Sequence, residues 1–144
     1  MEINFKKLIF SVDPKNYQIF WNDFLNWEKD DLDFVTENGE QDKIFIDIGA
    51  WIGPYTLIAA SIGMKVYAFE PHAANYINLL DNISRNKLHN IQAFPVAIGK
   101  NNVNLTTLAV PNMLEGVSDN VVGSSKEYYH GCVEFSLDYL VSKK

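Results

Sequence analysis

Two acidic residues follow short apolar segments, each at a place where a ligand could reach it. Asp47 lies near the end of the run KIFIDI (residues 43–48), and two glycines, Gly49 and Gly53, come directly after it. Glu70 follows the run VYAF. In nucleotide-binding folds, an acid about 20 residues beyond the glycine-bearing turn hydrogen-bonds to the ribose hydroxyls, and Glu70 lies close to that distance. A carboxylate can accept hydrogen bonds from both hydroxyls of a vicinal diol. The pair therefore indicates a nucleoside site.

The glycine-bearing turn excludes two common phosphate-binding motifs. A dinucleotide fingerprint needs glycine at the first, third and sixth positions, where this chain has Gly49, Trp51 and Pro54. A P-loop needs Gly-Lys-Ser/Thr over residues 54–56, where the chain reads PYT. Both patterns fail, which disfavours a nicotinamide-dependent oxidoreductase.

The remaining pattern, Asp-x-Gly-x-x-x-Gly, suits a nucleoside that carries an amino acid in place of a pyrophosphate. Asp47 can meet the ammonium and sulfonium charges of S-adenosylmethionine, whereas it would repel a pyrophosphate. Glu70 is expected to hold the ribose, and Pro71 and His72 are placed to flank the adenine. A helix cap is the alternative interpretation of either acid taken alone.

Alternating segments predict the scaffold that positions these acids. Strands that alternate with helices fold as parallel strands with right-handed crossovers, and ligands then bind at the carboxyl ends of the strands. Helix 73–87 is expected to turn its apolar residues inward and its asparagines outward. The predicted order is strand 43–48, helix 54–62 closed by Gly63, strand 66–69, helix 73–87, and strand 91–98 weakened by Pro95.

The flanking regions are less regular. Residues 13–34 carry an aromatic stripe at helical spacing, with Asp13-Pro14 as a start signal. This helix could pack on the sheet or line a substrate pocket. Beyond the third strand we expect a hairpin arm over 103–110, a loop over 111–129, a strand over 133–136 and a helix from 137. The chain is thus divided into an N-terminal helical segment (1–42) packing on a Rossmann-like domain (43–144).

Composition narrows the classes of partner. The 144 residues carry a formal net charge of −6, which opposes binding to nucleic acid. No secretion signal and no apolar run long enough to span a bilayer is visible, so a cytoplasmic protein with no membrane partner is expected. Cys132 is the single cysteine, and the three histidines lack the spacing of metal ligands. We expect no metal site and identify no catalytic base.

At this point the motifs resemble a known family. The segments IFIDIGAWIGPYTLIAA, VYAFEPHAANYINLLDNISRN and NIQAFPVAIG, between Ile44 and Gly99, are similar to FkbM-type methyltransferases, and SLDYL (136–140) extends the match. These are class I S-adenosylmethionine-dependent enzymes, mostly O-methyltransferases that act on sugar or polyketide hydroxyls. The resemblance implies a Rossmann-like class I methyltransferase fold, the N-terminal part of a parallel sheet with flanking helices.

The resemblance also implies site residues. Glu70 would hold the ribose, and Ala97 would lie near the adenine. Trp51 departs from the family, which usually has asparagine there, and its ring would narrow the methionine end of the site. The implied cofactor loop consists of Asp47, Gly49, Ala50, Trp51 and Gly53.

A second departure concerns the C-terminal part of the fold. The family continues into a strand with an Asp-x-Glu-Gly motif that pairs with the equivalent of KIFIDI, and this chain does not include it. The first strand is therefore expected at an open edge, covered by a missing C-terminal segment or by a second copy of the chain. The alternative to a methyltransferase is a truncated, non-catalytic module that binds the cofactor or a protein partner.

Overall fold

The computed structural model describes residues 1–15, 17–110, 121–122 and 128–142. Its strands are β1 (Glu2–Phe5), β2 (Leu8–Ser11), β3 (Ile44–Ile48), β4 (Lys65–Phe69), β5 (Ile91–Phe94), β6 (Ala97–Gly99), β7 (Val103–Val110), β8 (Val121–Val122) and β9 (Tyr128–Ser136). Its helices are α1 (Gln18–Asp23), α2 (Lys29–Asn38), α3 (Pro54–Ile62), α4 (Ala73–Arg85) and α5 (Leu137–Val141). The order of elements is that of an α/β protein.

The first sheet has the order β3-β4-β5, and all its strands are parallel. The predicted alternation of strand, helix, strand, helix and strand is confirmed here. Asp47 pairs with Ala68, and Ile48 pairs with Phe69, so β3 and β4 end side by side. One face of this sheet is covered by apolar residues of α3 and α4, including Ala59 and Leu79.

The second sheet is mixed and has the order β6-β9-β7-β8. β6 runs parallel to β9, whereas β7 runs antiparallel to both β8 and β9. The prediction of one continuous strand over 91–98 was wrong, since β5 ends at Phe94 and β6 begins at Ala97. Pro95 lies between them and has no N–H for a ladder hydrogen bond, so the chain leaves the first sheet there. The expectation of a single parallel sheet is corrected accordingly.

The N-terminal region differs from the predicted single helix. Residues 1–11 form the hairpin β1-β2, for which the sequence indicated no element. The helix expected over 13–34 is divided into α1 and α2, and Glu28 between them has a left-handed backbone (φ 39°). Asp13 does not cap α1, since its Oδ1 accepts from the backbone N–H of Lys15. A shared core joins the hairpin, the aromatic residues of α1 and the helix α3.

The face that α4 turns inward is more polar than expected. Asn75 and Asn82 are buried, whereas Ile77 and Leu80 are exposed. Asn82 Oδ1 accepts from the backbone N–H of Asp13 at 2.9 Å, and Asn86 pairs with both backbone groups of Ser11. The asparagines satisfy backbone groups of the N-terminal segment, and this requirement overrides the apolar pattern.

Strand β3 forms the outer edge of the first sheet in the described part of the chain, as predicted. Its side chains alternate between the two faces of the sheet. Ile44, Ile46 and Ile48 are 57%, 41% and 54% exposed, whereas Asp47 on the opposite face is buried. An apolar edge with free backbone groups is a surface that proteins usually cover. None of the helices described has the length and apolarity needed to cross a membrane.

Candidate nucleoside-binding site

The turn between β3 and α3 is folded back onto the end of β4. The backbone N–H groups of Gly49 and Ala50 donate to the carbonyl oxygen of Phe69 at 2.9 and 3.0 Å. The N–H of Gly53 donates to the carbonyl oxygen of Ala50 at 2.8 Å, which closes the turn. Gly49, Trp51 and Gly53 all have positive φ angles, of 78°, 52° and 93°. The residues of the predicted cofactor loop therefore form one compact turn.

Its two glycines serve different purposes. A Cβ added to Gly49 would meet no atom within 4 Å, so the space beside this residue is open. A Cβ added to Gly53 would lie 2.6 Å from Cδ1 of Leu79. Gly49 thus leaves room for a ligand at the backbone, while Gly53 allows α3 to start directly against α4.

Asp47 lies beneath this turn at the end of β3. Its residue exposure is only 8%, and the hydroxyl of Thr56 donates to its Oδ2 at 2.5 Å. Burial raises the pKa of Asp47 to about 6, despite the hydrogen bonds from Thr56 that oppose the rise. The charge of Glu70 adds to the rise. A cation placed nearby would favour the ionised form.

Glu70 lies at the end of the neighbouring strand and is 4% exposed. Its Oε2 accepts from the backbone N–H of Trp51, and its Oε1 accepts from that of His72, both at 2.8 Å. Burial raises the pKa of Glu70, and the hydrogen bonds from His72, Trp51 and Asn75 oppose that rise. The structure thus joins Glu70 directly to the predicted cofactor loop.

Pro71 and Ala97 are the two remaining residues of the predicted site. Pro71 is half-buried and follows Glu70 directly. Ala97 is buried in β6, where it pairs with Glu134 and packs with Leu108 and Cys132. The pKa of Cys132 is raised by burial, by the charge of Glu134 and by that of Glu70. The second sheet therefore comes within electrostatic range of Glu70.

Aromatic residues border the turn on the N-terminal side. The ring of Trp51 lies edge-to-face with Tyr17 and Phe20, at centroid distances of 5.4 and 4.6 Å. Trp27 lies 6.4 Å from Trp51 and 5.7 Å from Tyr55, whose hydroxyl donates to Glu28. These five rings are half-buried. Part of the aromatic stripe thus borders the site, while Trp21 and Phe24 pack in the core.

Two residues of this arrangement, Thr56 and Asn75, were absent from the predicted site, and Tyr17 was included only as part of the aromatic stripe. Thr56, Asn75 and Tyr17 each contact a predicted residue or its hydrogen-bond partner. Thr56 lies in the first turn of α3, where a hydroxyl facing back towards the strand could have been anticipated. The burial of Asn75 had no comparable signal in the sequence.

Metal ligands are not gathered at this site. Among the residues described, no group of three His, Cys, Asp or Glu side chains could hold a metal ion. His72 is the residue before α4, and its backbone N–H contacts Glu70. The side chain of His130 lies outside the described residues.

Comparisons with known proteins agree with the fold. No protein-family model matches the chain, and no curated protein matches it. A solved structure of M. jannaschii TYW2 in complex with AdoMet is similar over 65% of this chain and 42% of that protein, with 24% identity and a TM-score of 0.50. P. horikoshii TYW2 in complex with MeSAdo matches over 47% of this chain and 26% of that protein, with 26% identity and a TM-score of 0.44. The chain therefore spans less than half the length of either protein, and the first likeness shows a shared fold.

Proposed function

We propose that this chain binds S-adenosylmethionine and acts as the cofactor-binding part of a methyltransferase. The observation that carries the proposal is the pair of buried carboxylates, Asp47 and Glu70, at the ends of adjacent strands on either side of an open glycine turn. Ligands bind at this edge of a parallel sheet. The similar M. jannaschii protein was solved with AdoMet, which supports the choice of ligand.

Each site residue has a proposed role. Glu70 would accept the ribose hydroxyls with the lone pairs that its backbone donors leave free. Asp47 would face the positive charges of the cofactor, and the open space at Gly49 would admit the ligand to the backbone. Ala50, Trp51 and Gly53 would complete the loop, and Pro71 and Ala97 would flank the adenine. When bound, the cofactor would supply an electrophilic methyl group.

The proposed reaction is O-methylation of a sugar or small-molecule hydroxyl, as the resemblance to FkbM-type enzymes implies. Alignment of the acceptor oxygen with the methyl group can supply about 7–11 kcal/mol in such transfers. The half-buried rings of Trp51, Phe20 and Trp27 beside the loop favour an acceptor with an apolar surface, such as a polyketide. The acids Glu28, Asp31 and Asp47 lie within electrostatic range of Tyr55, which packs against Trp27, so a phosphorylated acceptor is disfavoured.

Calorimetric titration with S-adenosylhomocysteine tests the proposal. We expect the wild-type chain to bind this ligand in preference to NADH, and Glu70→Gln to weaken binding by about tenfold or more, because charge-assisted hydrogen bonds to the ribose are lost. Glu37→Gln is the matched control, because it changes an exposed carboxylate that is distant from Glu70 in the sequence. A folded chain that gives no heat with S-adenosylhomocysteine, or a Glu70→Gln variant with unchanged affinity, would contradict the proposal.

A second candidate function is a non-catalytic module that binds the cofactor or a protein partner. The exposed isoleucines of β3 favour it, since they form an apolar surface on one face of a strand that is itself at the edge of the first sheet. A further strand, from a second copy or from a longer chain, would cover this edge. Binding of S-adenosylhomocysteine without methyl transfer to any hydroxyl acceptor, together with self-association, would support this candidate. The division into residues 1–42 and 43–144 stays a prediction.

A further inference from the structure

The carbonyl group of Ile52 lies in a part of the cofactor loop that solvent does not reach. Ile52 is 0% exposed. Its carbonyl oxygen accepts a hydrogen bond from Nδ2 of Asn82 at 2.9 Å, and Asn82 in α4 is only 1% exposed. A buried backbone carbonyl needs such a donor, because water cannot replace it there. The loop therefore depends on a side chain that comes from another element.

The peptide unit between Ile52 and Gly53 is fixed by two hydrogen bonds. Its carbonyl oxygen is held by Asn82, and its N–H, which belongs to Gly53, donates to the carbonyl oxygen of Ala50 at 2.8 Å. Gly53 has a φ angle of 93°, and glycine adopts positive and negative φ angles about equally readily. The residue type alone does not fix the orientation of this peptide unit, so its hydrogen bonds must do so.

The amide of Asn82 has only one orientation that satisfies its neighbours. An asparagine side chain has one acceptor oxygen and one donor NH2 group. The backbone N–H of Asp13 can only donate, and it donates to Oδ1 of Asn82 at 2.9 Å. The carbonyl oxygen of Ile52 can only accept. Both partners require the same orientation, so Asp13 helps to direct the NH2 group of Asn82 towards the cofactor loop.

Asn86, one turn further along α4, provides a matched comparison. Its Oδ1 accepts from the backbone N–H of Ser11 at 2.6 Å, and its Nδ2 donates to the carbonyl oxygen of Ser11 at 2.7 Å. The same Nδ2 donates to the backbone carbonyl oxygen of Asn82 at 2.7 Å. Asn86 thus bonds to the N-terminal segment and to its own helix, whereas the side chain of Asn82 joins that segment to the cofactor loop.

We infer that Asn82 is a positioning residue, whose amide holds the carbonyl group of Ile52 and so keeps the cofactor loop in the conformation that binds the ligand. The identity of the ligand rests on the proposed function, but the effect on the loop does not. A purely structural role predicts something different. If Asn82 only anchors the N-terminal segment, then Asn82→Ala and Asn86→Ala should have similar effects, because each removes an anchor of that segment.

The first test needs no ligand and follows amide hydrogen exchange by NMR. The N–H of Gly53 reports on the loop, and the N–H of Val66, which donates to the carbonyl oxygen of Asn90 at 2.8 Å, reports on the first sheet. We expect Asn82→Ala to speed exchange at Gly53 about tenfold more than at Val66, because the loop opens without the whole chain unfolding. Asn86→Ala should leave the ratio of the two rates at its wild-type value.

A second variant separates the loop contact from the anchoring contact. Asn82→Asp keeps the size of the side chain and an oxygen that can accept from Asp13. Its carboxylate cannot donate to Ile52. At pH 8 we expect Asn82→Asp to speed exchange at Gly53 relative to Val66, as Asn82→Ala does. This variant also provides the measurement if Asn82→Ala does not fold.

The third test measures binding of S-adenosylhomocysteine by calorimetry. The apparent affinity falls in proportion to the fraction of the protein whose loop can bind. We expect Asn82→Ala to bind about tenfold more weakly than the wild type, and Asn86→Ala to bind within about twofold of it.

The results separate two kinds of failure. If the wild-type chain binds no S-adenosylhomocysteine, the proposed function fails, and the exchange rate of Gly53 still decides the role of Asn82. If Gly53 and Val66 keep their wild-type ratio in the Asn82 variants, or if Asn86→Ala changes that ratio equally, the inference is overturned.

Discussion

The carboxylates at the ends of β3 and β4 are buried to a similar extent but have different hydrogen-bond donors. Asp47 and Glu70 are 8% and 4% exposed. Asp47 accepts hydrogen bonds from one residue, Thr56, and its pKa rises to about 6. Glu70 accepts from the backbone N–H groups of Trp51 and His72, which oppose the effect of burial, although burial still raises its pKa.

This difference teaches that donors, more than exposure, decide how a buried acid behaves. Glu70 is held by its donors in a fixed position, which suits a residue that recognises a ribose by hydrogen bonds. Asp47 lacks such support, so its charge depends on pH and on any cation beside it. Burial raises the pKa of both acids, and the site therefore combines a carboxylate held by two backbone donors with one held by Thr56 alone.

The largest expected effect concerns the glycines that bring the two acids together. Gly53→Ala places a Cβ 2.6 Å from Leu79 in a left-handed backbone, so we expect a loss of about 2–4 kcal/mol in the free energy of unfolding. Gly49→Ala meets open space and should lose only about 1–2 kcal/mol from backbone strain. Urea unfolding of the two variants measures the difference. Equal losses would show that Gly53 is not packed against α4 in this way.

A smaller effect on the free energy of unfolding is expected from the titration of Asp47. The pKa of Asp47 is higher in the folded chain, near 6, than its ordinary value of 3.8, so between these pH values the folded chain retains a proton that the unfolded chain has released. The proton retained on Asp47 stabilises the folded chain. Its contribution to the free energy of unfolding is fully present below about pH 4 and is lost as the pH rises through 6, and the total loss is about 3 kcal/mol at most.

Asp47→Asn should remove this dependence. We expect the wild-type chain to lose stability relative to the variant between pH 4 and 7, and the variant to be more stable at pH 7.5 by about 1–2 kcal/mol. Denaturant titrations of both proteins at several pH values give the difference directly. Parallel curves at every pH would show that Asp47 titrates at its ordinary value.

The first sheet was largely predictable from the sequence. The run KIFIDI, the turn glycines and the amphipathic segment from Ala73 each match the element that forms. Gly63 ends α3 with a left-handed backbone (φ 99°), as its position indicated. These are local signals, in which the residue types that favour an element coincide with its boundaries. Asp47 and Glu70 could be identified for the same reason, since each marks the end of a strand.

The features of the fold and the site that could not be predicted depend on contacts between residues distant in sequence. The β1-β2 hairpin turns at Lys6, a residue type with no preference for its positive φ of 52°. Asn75 accepts from the hydroxyl of Tyr17 and Asn82 from the backbone N–H of Asp13, so the burial of both depends on residues far earlier in the chain, which helical periodicity does not indicate. The division of α1 from α2 likewise rests on a left-handed Glu28. Tertiary packing overrides local preference in each case.

The affinity for S-adenosylhomocysteine as a function of pH tests the central claim most directly. If the ionised form of Asp47 meets the ammonium group of this ligand, wild-type affinity should rise about fourfold between pH 5.5 and 7.5, with a midpoint near 6. Asp47→Asn should bind more weakly and show no such rise. Stability and affinity would then change in opposite directions over the same range. A wild-type affinity that stays constant, or that falls as the pH rises, would contradict the account.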